Sequence, residues 1–204
     1  MSGPARAMLG WGARAGRRET MVTQLMPPDW TMRTARLTLR PILGSDAEAL
    51  VEGLGDFEVA RWLSRVPYPY TLDEARRFIA WEKAERVRGE DRVVGIDAGG
   101  LVGIASLRGR GAEPVLGYWM ARRHWGQGYM TEAVGALIAA AFESPEVTMI
   151  RSGVFEGNQR SLAIQTRFGF VVSGHSRLHN LALGRDLAHI DTQLTRARHQ
   201  EFTP

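Results

Sequence analysis

With 204 residues the chain can bury roughly two-thirds of its extended surface around one core, so a single domain is expected without a covalent staple. Cysteine is absent, which excludes disulfides, thiolate metal sites and an acyl-cysteine intermediate, and fits a reducing, cytoplasmic setting. The net charge of +4 rests on arginine, Lys83 being the sole lysine, which points to compositional bias before nucleic acid; no window approaches the roughly 20 apolar residues of a membrane span.

Residues 1–30 set Arg6, Arg14, Arg17 and Arg18 against Glu19 and Asp29, half of the net charge in a stretch without periodicity. A flexible N-terminal arm is expected there, or an upstream extension with Met21 nearer the true start, followed by one folded domain over 31–204. "RTARLTLRP" alternates Leu37 and Leu39 with polar residues, a half-buried strand closed by Pro41. Ser45 with Glu48, and Thr71 with Glu74, each fit a capping box at a helix start. Ala75, Phe78 and Ile79 give the second of these helices its inner stripe, and "SRVPYPY" between the two must be irregular because Pro67 and Pro69 donate no backbone bond. The run "RVVGIDAGGLVGIASLRG" is a hairpin about Gly99–Gly100, and "PVLGYWM" is a third strand. Met130, Val134, Leu137, Ile138, Ala141 and Phe142 then recur at helical spacing until Pro145. "VTMIRSGVF" reads as a strand, "NQRSLAIQTRF" as a short helix with Gly169 at a left-handed cap, "FVVSGH" as a strand, and "HIDTQLTRA" as the strand closing the sheet. No repeat and no second hydrophobic core stand out. The order predicts a mixed α/β sheet.

The densest signal is "RRHWGQGYMTEA", residues 122–133. A strand ending at Met120, a turn with two glycines and a helix from about Tyr129 aim several unpaired amides at one spot, backed by the positive end of the helix dipole. An anion suits that spot. Gly126 and Gly128 lack side chains that would hold a phosphate oxygen off the backbone, and Thr131 adds a hydroxyl. No Gly-Lys-Ser/Thr follows and a third glycine at dinucleotide spacing is missing, so neither a Walker loop nor a Rossmann fingerprint is present. Farther on, Asn158 stands where it caps the next helix and Ser161 lies three residues later, so an amide and a hydroxyl would face a cleft leading from the phosphate site.

"LGYWMARRHWGQGYMTEAVGALIAAAF" followed by "GNQRSLAIQTRFGF" resembles the GNAT superfamily of acetyl-coenzyme A dependent N-acetyltransferases, and looks most like its RimJ/RimL-type branch. The likeness spans about residues 32–196. It implies a mostly antiparallel, twisted α/β sheet with flanking helices and two splayed central strands. It implies acetyl-coenzyme A as co-substrate with no metal, its diphosphate held on Trp125, Gly126, Gln127, Gly128, Tyr129, Met130 and Thr131, although a literal Arg-x-x-Gly-x-Gly match also runs from Arg123 to Gly128. The pantetheine would pair with backbone at Met120, whose neighbourhood would supply the oxyanion donor, and Asn158 would hold a pantetheine amide. Ser161 would protonate the departing thiolate. The branch's usual glutamate before Gly-Tyr-Trp is replaced here by Val115 and Leu116; Glu113 could relay a proton through water, or be a solvated strand-end carboxylate.

The implied activity is direct transfer of acetyl to a primary amine, either a protein N-terminus or a small molecule. A homodimer is a family-level expectation; membrane and nucleic-acid partners are not expected. The competing reading is a non-catalytic module that senses coenzyme A or docks on ribosomal RNA. His175 and His179 share a strand face but lack a third ligand. Trp62, Tyr68, Tyr70 and Trp81 are candidates for an acceptor wall or for core.

Overall fold

The computed structural model describes residues 30–89, 91–109 and 111–202; the expected N-terminal arm falls, apart from Trp30, outside them. Two short antiparallel strands, β1 (Met32–Arg33) and β2 (Thr38–Arg40), lead through a 3-10 turn into α1 (Ala47–Leu54), α2 (Phe57–Ala60) and α3 (Leu72–Arg88). The Gly99–Gly100 hairpin joins β3 (Asp91–Asp97) to β4 (Leu101–Arg108), and β5 (Val115–Met120) follows antiparallel to β4. Then come α4 (Tyr129–Glu143), β6 (Met149–Phe155), α5 (Gln159–Arg167), β7 (Val171–Asn180), β8 (Arg185–Thr195) and α6 (Arg196–Phe202).

One sheet takes all eight strands in the order β1-β2-β3-β4-β5-β6-β8-β7. Every pairing is antiparallel except β5 with β6. The strand over 189–197 was expected to close the sheet; instead β8 slots between β6 and β7, because β7 turns back through residues 181–184 and gives β8 a partner on each side. The apolar residues also divide, where one core was expected: β3 and β4 are buried on both faces, with one cluster beneath α4 and α5 and another beneath α1 to α3. α4 packs its expected stripe, with Val134, Leu137 and Ile138 wholly buried. Its Gly135 serves close approach: a Cβ there would press on the Phe168 ring at 3.1 Å.

Thr71 caps α3 by accepting the Glu74 amide (3.3 Å), and Gly89 ends that helix at φ 68°. The capping box expected at Ser45 and Glu48 does not form. Ser45 lies inside the 3-10 turn, where the Asp46 carboxylate accepts the Leu43 amide (2.8 Å) and two Arg40 nitrogens (2.8 and 2.9 Å). Arg40 reaches on to Asp97 (2.7 Å), so a long-range charge cluster displaces the local cap.

Candidate active site

From the end of β5 the chain makes a 3-10 turn, Arg122–His124, then runs through Trp125 to Gly128 and into α4. Gly126 and Gly128 take φ 75° and 79°, where glycine sits without strain. A Cβ on Gly126 would meet nothing within 4 Å, so open space lies in front of the loop. The helical ladder starts with Glu132 N to Gly128 O (3.0 Å), which leaves the amides of residues 126–131 without an acceptor among the described residues.

Arg36, in the turn between β1 and β2, sets which way that loop faces. Its guanidinium donates to the Gln127 carbonyl (2.8 Å), and because a trans peptide holds C=O and the next N–H on opposite sides, the Gly128 amide is turned away from Arg36. Arg36 also donates through Nε and its own amide to the Glu132 carboxylate (2.7 and 2.8 Å), which takes the Thr34 hydroxyl as well (2.6 Å). Burial opposes ionisation of Glu132, but these donors hold its carboxyl below the usual range, so an ionised acid in the first turn of α4 is matched by a fixed cation. The side chains named from the sequence mostly brace the loop. The Trp125 indole donates to the Met120 carbonyl (2.8 Å) beneath the Arg160 guanidinium (4.7 Å from the ring centroid), Tyr129 lies under Arg36, Met130 is buried, and Gln127 Nε2 reaches Arg123 O (3.3 Å). What faces outward is main chain. Arg123, the alternative motif start, is engaged by Glu52 and His124.

Beside this loop the sheet opens. Ala121 N donates to Val102 O (2.9 Å) across β4 and β5, and alternate residues of an antiparallel strand direct their polar groups to opposite edges. Leu116, Tyr118 and Met120 therefore turn theirs toward β6. A single rung, Val115 with Arg151, joins β5 to β6; beyond it the strands part. The Ser152 hydroxyl takes the Leu116 carbonyl (3.0 Å) and Trp125 takes that of Met120, while the amides of Tyr118 and Met120 find no acceptor among the described residues.

α5 closes one face of this gap. Its cap is Asn158, whose Oδ1 accepts the Ser161 amide (3.3 Å) and whose side-chain NH2 has no partner among the described residues. The Ser161 hydroxyl donates to Tyr118 OH (2.9 Å), which donates to the Ser161 carbonyl (3.1 Å). Burial pushes the Tyr118 phenol above its ordinary value, against hydrogen bonds with Ser161 and Gln165, so it is protonated at neutral pH. A buried chain fixes α5 at this spacing: Thr192 donates to Gln165 Oε1 (2.7 Å), and Gln165 Nε2 donates to Ser152 Oγ (2.9 Å). On the other face the hairpin tip docks on the segment after α2, where the wholly buried Asn180 donates to Arg61 O (3.0 Å) and Leu63 O (3.3 Å).

Glu113 is not brought to this group. It pairs with Arg151 (2.6 and 2.8 Å) at the closed end of the gap, and the extended run from there to Met120 spans roughly 20 Å. His179 pairs with Asp186 (2.8 Å). Tyr70 and Trp81 belong to the cluster under α1 to α3, whereas Tyr68 is exposed and edge-on to Phe57. Sequence reasoning missed Tyr118, although its alternation with Leu116 and Met120 inside "LGYWM" signals the helix-facing side; for Arg36 there was no signal.

The sheet thus parts between its two central parallel strands, and a helix start whose amides have no acceptor among the described residues lies at the mouth of the gap, an arrangement suited to an anionic ligand with an extended polar arm. The GNAT acetyltransferase domain family matches residues 36–171, and the chain belongs to that family. Among its relatives is the "Putative ribosomal N-acetyltransferase YdaF" of Bacillus subtilis, 29% identical over 153 residues that cover 69% of this chain and 81% of that one. A solved structure described as a putative ribosomal-protein-serine acetyltransferase from Vibrio cholerae is 28% identical, with TM-score 0.68 over 83% of this chain and 99% of that chain. RimJ of Mycobacterium smegmatis, solved with CoA-disulfide, shares the fold at 22% identity and TM-score 0.68, over 79% of this chain and 82% of that chain. The chain is thus an N-acetyltransferase of the GNAT family.

Proposed function

We propose that this chain transfers acetyl from acetyl-coenzyme A to the α-amine of a protein N-terminus, the amine attacking the thioester directly. The observation that carries the reading is the unpaired edge of Tyr118 and Met120 lying between the amides of 126–131 and the Ser161–Tyr118 hydroxyls. The amides suit a diphosphate, since glycine at 126 and 128 leaves room for it and the dipole of α4 favours its charge. The free strand edge suits the amide-bearing pantetheine arm, with the Asn158 NH2 as a further donor. Fixing both reactants there would remove on the order of 7–11 kcal/mol of barrier, and an amide of β5 on the developing oxyanion roughly 3–4 kcal/mol more. When sulfur leaves, the Ser161 and Tyr118 hydroxyls can supply its proton.

The acceptor must be neutral to attack. Near pH 7.5 roughly a third of α-amines are neutral, against about a thousandth of lysine side chains, which favours an N-terminus. The names of YdaF and of the Vibrio cholerae protein point to ribosomal proteins as the first to try. The test is thiol release and mass spectrometry with acetyl-coenzyme A and three acceptor sets: N-terminal peptides of ribosomal proteins, the same peptides blocked at the α-amine, and polyamines. Acetyl on the α-nitrogen is the expected result. Product on polyamines alone would overturn the acceptor; thermal stabilisation by acetyl-coenzyme A without turnover of any amine would make the protein a sensor.

A further inference from the structure

The reacting carbon needs an acid on the sulfur side, the part proposed above for Ser161 and Tyr118, and a base on the amine side. Side chains of Leu116, Tyr118 and Met120 lie on the α4–α5 face of β5; Val115, Gly117 and Trp119 lie on the other, where Trp119 packs under α1 to α3. The rung between Val115 and Arg151 carries that division to β6, so Arg151, Gly153 and Phe155 share the face of Gly117. At this level the gap is walled by two glycines.

The place of a side chain on Gly153 is taken by an imidazole. A Cβ there would collide with Cε1 of His189 and lie 2.9 Å from its Nε2, so the ring from β8 lies across β6 beside the gap. His189 Nδ1 is 2.8 Å from Asp191 Oδ1, and the same oxygen accepts the Ser176 hydroxyl (3.0 Å). Phe155 meets the ring edge-on at 5.6 Å, and the side chain is only 12% exposed. With Nδ1 facing the carboxylate, a neutral ring carries its proton there and its lone pair on Nε2, and Nε2 has no partner among the described residues. Ser176 approaches Nδ1 rather than Nε2, so the group is no nucleophile triad.

We infer that His189, held by Asp191 and Ser176, is the general base that deprotonates the acceptor amine across the gap from Ser161 and Tyr118. The assignment rests on the acetyl-transfer reading above. As the amine nitrogen bonds to the thioester carbon its proton passes to His189 Nε2. The C–S bond breaks with its electron pair on sulfur, and the thiolate takes a proton from the Ser161–Tyr118 pair. Asp191 acts as a positioning residue.

The experiment measures kcat and KM for both substrates, with stabilisation by acetyl-coenzyme A as the check on folding. His189→Gln should lower kcat by about 100-fold with little change in KM for acetyl-coenzyme A. Added imidazole should restore several-fold of the rate lost in His189→Ala. Gly153→Ala, whose Cβ would press on the imidazole and also on the Ile190 carbonyl (2.7 Å), should lose kcat too where it passes the folding check, and Asp191→Asn about tenfold, again without a rise in KM. Wild-type kcat in His189→Gln overturns the assignment while leaving acetyl transfer intact. Should His189→Gln fail the folding check, a full-rate Gly153→Ala overturns it equally. A wild-type protein that releases no thiol with any amine overturns the acetyl-transfer reading and this base with it.

Discussion

Gly126 carries the sharpest consequence for a single residue. Its positive φ and the open space before it mean that Gly126→Asp adds both backbone strain and a negative charge where a diphosphate is to sit. Affinity for coenzyme A, measured by calorimetry, should fall at least tenfold; an unchanged Kd would remove the loop from the site. Ser161 and Tyr118 share one hydrogen-bonded pair, so Ser161→Ala and Tyr118→Phe should each slow turnover by roughly tenfold, and the double variant by less than the product of the two. Glu82 of α3 makes a different statement. It is 1% exposed, neither oxygen has a hydrogen-bond partner among the described residues, and Arg86 is no nearer than 3.7 Å. Burial raises its pKa, against the opposing charge of Arg86. A folded-state pKa above the unfolded one means that the protonated acid costs nothing below the ordinary carboxylate range, near pH 4, and that stability is lost as pH rises through that range toward the folded value. Glu82→Gln should therefore show a higher urea midpoint than wild type at pH 8, the gap narrowing toward pH 4.

At the scale of elements, α5 is located by its buried polar chain as much as by its apolar face. Gln165→Leu would leave the buried Thr192 hydroxyl without its acceptor and remove the amide that Ser152 accepts, at a cost of about 1–3 kcal/mol in chemical denaturation, and would loosen Ser161 relative to β5. Most elements could be read from the sequence, since period, glycine and proline mark their limits locally: α4 begins at Tyr129 and ends before Pro145, and Gly169 follows α5 at φ 86°. What escaped reading depends on distant partners. Asp46 is taken by Arg40, which is itself held by Asp97, 57 residues away, so the Ser45–Glu48 pattern lost to a contact invisible in any local window. α6 was missed because its anchor is remote. Arg196 bonds the Phe142 and Val147 carbonyls (2.6 and 2.7 Å) and neutralises the negative end of α4. The glycine turn into α4 was legible because glycine spacing is local chemistry, whereas His189 meets Gly153 only through strand pairing.

For the whole molecule, two layers of helices cover opposite faces of one sheet, with the Ser161–Tyr118 hydroxyls on the face of α5 and the His189 imidazole on that of α1 to α3. Binding between them should brace both layers together. Acetyl-coenzyme A at about 100 times its Kd should add roughly 2.7 kcal/mol, raising Tm by about 5–10 °C, with no such rise in Gly126→Asp. The strand order has a further consequence, for synthesis. Because β8 lies inside the sheet, flanked by β6 and β7, an inner strand leaves the ribosome after both of its neighbours. Until it arrives a nascent chain shows an unsatisfied β6 edge, a bare template for wrong partners, and clipping the tail there would open the middle of the protein instead of trimming its rim.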